Sequence, residues 1–178
     1  MRGVKLGLSF GIVVLLGVFG LSEARGENWR IVASRKKTEI KGAAKKKTNG
    51  ITLVPEGMLY EIKVTNSAFK ATPASEARYL IFVERQRPAT RPTEDVVEKL
   101  KGEAALPALK SGETKNLESE PFVLWTGSLE SGYYFENGGR IRTKDRLVGI
   151  WVKIFQDGKE VAEYANPSSL VSQHQWQP

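Results

Sequence analysis

The chain has 178 residues, no cysteine and one histidine, with 27 Lys and Arg against 20 Asp and Glu for a formal charge of +7. That inventory excludes disulfide staples and leaves His/Cys zinc sites and Cys–His or Ser–His nucleophile systems without their parts. What remains is a chain sized for one domain, held by packing and backbone pairing alone.

Arg2 and Lys5 form a short positive head, and Leu6 to Leu21 is an uncharged apolar run. Ser22-Glu23-Ala24 then places small residues where a signal peptidase must accommodate them. This order predicts a secretory signal peptide over residues 1–24, cleaved after Ala24. The run is short for a membrane span, which needs about 20 apolar residues. An uncleaved N-terminal anchor is the alternative. Export, to the periplasm or beyond, is therefore expected, and a bridge-free exported chain fits a bacterial envelope protein.

The remaining chain reads as β-structure. Trp29, Ile31 and Ala33 alternate with Arg30, Val32 and Ser34, the period of a strand with unlike faces. Arg35, Lys36, Lys37, Lys41, Lys45, Lys46 and Lys47 follow within a short stretch, and Gly42 to Gly50 is expected to be a lysine-rich loop. Lys45, Lys46 and Lys47 are candidates for contact with an anionic lipid or lipopolysaccharide surface, against the plainer reading of lysines guarding a strand edge. Nucleic acid is not expected as a partner, since no recognition helix or RNA-binding motif accompanies the charge.

Ile51 to Val54 is a brief apolar run halted by Pro55 and Gly57, and Met58 to Asn66 alternates cleanly. Tyr79 to Val83 is apolar on both faces, as a covered central strand should be. Thr93 is expected to cap a short crossover helix through Lys101, with Val96, Val97 and Leu100 as its buried stripe. Thr114 to Trp125 contains Pro121, so it is an edge strand or two strands split by a bulge. Ser131 to Asp145 reads as a long glycine-rich loop. Val148 to Ile154, Asp157-Gly158 and Glu160 to Tyr164 form a hairpin whose turn chemistry is that of a type I′ turn.

These elements predict an all-β fold: an antiparallel immunoglobulin-like sandwich of about seven strands with one helix, a small barrel being the alternative. The domain spans residues 25–166, and residues 167–178 read as a flexible tail. Tyr60-Glu61-Ile62-Lys63-Val64-Thr65-Asn66 and the block from Asp145 to Leu170 resemble uncharacterised exported bacterial β-sandwich proteins of immunoglobulin-like or fibronectin type III-like build. That resemblance implies no catalytic residues.

Chemistry has few places to reside. His174 sits in the polar tail, Glu118 and Glu120 share a strand face without further support, and Asp145 has no second acid at ligand spacing. No enzyme activity, cofactor or metal is expected. The aromatic residues Trp125, Tyr133, Tyr134 and Trp151 are candidate ligand-binding residues, able to stack on a glycan or grip a protein. The plainer reading packs Trp151 as a satellite core. The leading expectation is a non-enzymatic exported sandwich that binds or scaffolds an envelope protein. A carbohydrate-binding module and an anionic-surface binder are the alternatives.

Overall fold

The computed structural model describes residues 28–48, 50–86, 96–130 and 142–177. Among the described residues ten strands fill two antiparallel sheets: β1 (Trp29–Lys37), β2 (Lys46–Thr48), β3 (Ile51–Asn66), β4 (Ser75–Arg85), β5 (Val96–Leu106), β6 (Thr114–Glu118), β7 (Phe122–Leu129), β8 (Arg142–Lys144), β9 (Arg146–Gln156) and β10 (Lys159–Asn166). The first sheet runs β1-β3-β7-β8, with β2 and β6 also on β3, and the second runs β10-β9-β4-β5. Alternate residues of both sheets meet in one core, including Ile31, Ile62 and Val64 from the first and Tyr79, Ile81, Val152 and Ile154 from the second. This is the face-to-face packing that period-two apolar strands require.

β3 organises the first sheet. Its C-terminal half pairs with β1 and β6, and its N-terminal half pairs with β2 and β7. Pro55 and Gly57, expected to end a strand, lie inside this one. Tyr60 accepts the Ser119 N–H and donates its own to the Ser119 hydroxyl on the β6–β7 side, whereas Gly57 accepts from the Thr38 N–H on the β1–β2 side. Alternation then turns the missing N–H of Pro55 towards the gap between β1 and β2. No ladder bond is lost there, so the proline is tolerated. On the other flank, Pro121 does split the extended stretch into β6 and β7, and the Ser119 hydroxyl accepts the Tyr60 N–H across the break.

The expected helix ending at Lys101 is replaced by strand β5. Thr93 lies outside the described residues, and Val96 to Leu106 pairs with β4 along its whole length. Leu100, Gly102, Ala104 and Leu106 alternate with the exposed Lys101, Glu103 and Ala105, a period-two pattern that outweighs the helical spacing of Val96, Val97 and Leu100. The one helix among the described residues is α1 (Leu170–Gln173).

Other expectations match. β4 is central, and Tyr79 to Val83 are all buried. Asp157 and Gly158 take φ of 48° and 74°, the positive angles of the hairpin turn, between Gln156 and Lys159. A bulge in β9 sets Phe82 opposite Gly149 and Val83 opposite Leu147, leaving Val148 as the extra residue. It moves Val148 from the face shared by Ile150 and Val152 to the outer face, beside Trp151.

That outer face of the second sheet is apolar. Leu80, Phe82, Trp151 and Ala165 cluster there with Leu170. Residues 167–177, read above as a tail, lie along it. Leu170 is fully buried, the His174 ring stacks on Phe82 at 4.6 Å, and Trp176 meets Trp151 edge-on at 5.2 Å.

Candidate functional site

The most distinctive surface is a cleft at one end of the sandwich, where the two sheets part. On the inner face of β1, Ile31 and Ala33 are core residues, and the next two positions in the same phase are Arg35 and Lys37. Core packing therefore stops at Ala33, and the strand continues with cations facing the space between the sheets. β3 shows the same transition: Ile62, Tyr60 and Met58 are buried, and the next inner position is Glu56.

This cleft is lined by Arg35 and Lys37 of β1, Glu56 and Met58 of β3, Leu124 of β7 and Lys144 of β8, all from the first sheet, and by Asp145 with Arg146 and Leu147 of β9. Its volume is about 480 Å³, within the range of ligand clefts. Four cations surround an apolar floor. Two of them are neutralised locally: Lys37 pairs with Glu56, and Arg146 pairs with Glu84. The Lys37 hydrogen bond holds the Glu56 carboxyl below the usual carboxylate range, despite some opposing desolvation, with Lys144 adding to the effect. Arg35 and Lys144 have no ion-pair partner among the described residues.

At the Asp145 side of the cleft lies a nearly buried polar knot. Asp145, 5% exposed, accepts from the Arg85 guanidinium at 2.7 Å, from the Trp125 N–H at 3.0 Å and from the Gln86 N–H at 3.3 Å. Arg85 also donates to Glu98 and to the Val123 carbonyl. Burial works against its charge, but the hydrogen bonds to Asp145 and Glu98 outweigh that and raise its pKa. Three strands from both sheets, β4, β5 and β7, thereby hold the β8–β9 corner, which carries Lys144 and Arg146, in place. Both Asp145 oxygens are occupied by protein donors, so it serves as a structural anchor.

The residues singled out from sequence fall elsewhere. Trp151 is 3% exposed, its indole N–H donates to Glu163 at 3.0 Å, and Lys153 lies over its ring. It is packed beneath the C-terminal segment. Trp125 points from the outer face of β7, where the Lys46 ammonium stands 4.9 Å from its ring centroid. Tyr133 and Tyr134 lie outside the described residues. Lys46 and Lys47 sit on β2 rather than in a loop, and Lys47 pairs with Glu130 at 2.8 Å. Lys45 is exposed beside them. The structure thus joins Lys46 to Trp125, and separates both from Trp151, which belongs to the other sheet. Arg35 was read from sequence only as part of the basic run, although its phase with Trp29, Ile31 and Ala33 marked it as an inner-face position. Lys144 and Arg146 escaped sequence reasoning, and no signal existed for them.

No family model matches the chain, and no curated protein is similar to it. Among solved structures, a structural-genomics target aligns at 12% identity over 85% of this chain and 96% of its own, with a TM-score of 0.34. A Bordetella pertussis protein described as ApaA aligns at 14% identity over 79% and 94%, with a TM-score of 0.32. An Akkermansia muciniphila protein aligns at 14% identity over 88% and 82%, with a TM-score of 0.31. Likenesses this faint say nothing of function.

Proposed function

We propose that this chain is an exported, non-enzymatic sandwich of immunoglobulin-like type that binds a protein partner in the bacterial envelope through the cleft between its sheets. The charge, apolar run and small residues at the N-terminus support export. The immunoglobulin-like type is supported by the strand order, β1-β3-β7 facing β10-β9-β4-β5, with the chain changing sheets after β3, β5 and β8. The observation that carries the binding role is the change of the inner β1 face from apolar to basic at Arg35, over a recess braced by Arg85 and Asp145.

The glycan reading has less support, because Trp151 is covered and Lys46 already occupies a face of Trp125. The anionic-surface reading retains Lys45, with Lys46 and Lys47 engaged by their neighbours.

A photo-crosslinking residue placed at Lys37 in cells tests the proposal. A discrete protein adduct in the envelope fraction is expected from that position and not from Lys115, on the distant edge strand β6. The recovered protein should begin at Arg25. Absence of any adduct at the cleft would remove the binding role.

A further inference from the structure

We infer that the partner is read through an acidic segment, whose carboxylates meet Arg35 and Lys144 while its apolar side chains rest on Met58, Leu124 and Leu147. This rests on the cleft being the binding site, and it adds the chemistry of what enters.

Charge bookkeeping around the cleft leads to it. Glu56 is committed to Lys37, Glu84 to Arg146, and Asp145 to Arg85. Each acid at the cleft is matched by a cation, and Arg35 on β1 and Lys144 on β8 are the surplus. Two such cations flanking a recess favour an anionic occupant and disfavour a basic one. Arg35 offers a planar fork suited to a carboxylate, and Lys144 a point charge.

The floor narrows the class of occupant. Met58 and Leu124 are core residues that also line the recess, and the partly buried Leu147 lines it with them. A purely ionic ligand would leave that floor unused. A flat lipid surface would not reach it, because Arg35 and Lys37 stand on inner-face positions of β1 rather than on an outward plane. An extended chain alternating acidic and apolar side chains satisfies walls and floor together.

The backbone supplies the reporters. The Trp125 and Gln86 amides both donate to Asp145, between Lys144 and Arg146 in sequence, so occupancy should shift their resonances. The mature chain would be titrated with a peptide of alternating glutamate and leucine, by calorimetry and amide spectra. Saturable binding is expected, with shifts at Trp125 and Gln86 and an affinity that weakens as salt rises from about 0.1 to 0.5 M. Arg35→Glu and Lys144→Glu should each weaken it at least tenfold with unchanged circular dichroism. Lys41→Glu, outside the cleft, should change it less than twofold.

Equal sensitivity to all three substitutions would overturn the inference by reducing it to net charge. Equal or tighter cleft binding of polyphosphate, or of phosphatidylglycerol vesicles, would overturn it in favour of phosphate or a membrane. If the Lys37 adduct persists in the Arg35→Glu/Lys144→Glu chain, the partner reads some other feature, and the inference fails while the binding role stands. Loss of that adduct in the double variant alone is the supporting result.

Discussion

Asn66 shows how much a single polar side chain can organise when it is fully buried. Its amide nitrogen lies 2.8 Å from the Lys70 carbonyl and 3.1 Å from those of Leu109 and Lys110, while its oxygen accepts the Ala68 N–H at 2.9 Å. Two loops that are also bridged by the Thr72–Leu109 backbone pair are thereby joined at the end of β3. Asn66→Ala strips partners from several buried backbone groups at once, so a loss of about 2–4 kcal/mol is expected in urea unfolding. Asn66→Asp, which keeps the acceptor and removes the donor, should be nearly as costly.

Tyr60, one of the last core residues before the cleft, gives a pH signature. Burial pushes its pKa up to about 12, with Arg35 pulling modestly the other way. The unfolded phenol titrates near 10, so the folded state holds this proton more tightly. The resulting stability is complete below pH 10 and is lost as pH rises through 12. Absorbance at an alkaline pH between those limits should therefore show Tyr60 still protonated, and Tyr60→Phe should remove the steepest part of the alkaline stability loss.

At the level of elements, β5 separates what composition conveys from what pairing decides. Val96, Val97 and Leu100 suit a helical stripe, and Asp95 and Lys99 suit an ion pair one turn apart. The alternation that wins begins only at Leu100 and depends on β4 lying alongside. Ala104 packs against the core and Ala105 faces water. Ala104→Asp should cost about 2 kcal/mol or more, and Ala105→Asp should stay within about 0.5 kcal/mol, as thermal unfolding would show. Comparable losses at the two sites would contradict the strand. The β9–β10 hairpin needed no such partner to be legible, because Asp157-Gly158 encodes its own turn. β3 was half legible: its alternation was plain, but its passage through Pro55 depended on a gap in the neighbouring edge. The cleft was less legible still. Arg35 continues an apolar phase visible in the sequence, yet Lys144 and Arg146 join it only because β8 pairs with β7 and the chain then crosses to β9.

Across the whole molecule, each face of the second sheet has its own cover. The first sheet covers the inner face, and the segment after Asn166 covers the outer one. Gly149 is shaped to that second contact: a Cβ there would meet the Asn166 carbonyl oxygen at 2.2 Å and crowd Pro167 and Leu170. Removing residues 167–178 would expose Leu80, Phe82 and Trp151 together. The truncated chain should show red-shifted tryptophan emission and a midpoint lowered by several degrees, and unchanged emission would mean that the cover is dispensable.

The same seating has a practical side for anyone preparing the protein. A purification handle or fluorescent reporter joined directly after Gln177 would stand beside the Trp176–Trp151 ring contact and within reach of Lys99, which donates to the Gln175 carbonyl. Inserted at Asp157-Gly158, where the backbone turns in open solvent, the same cargo would meet nothing.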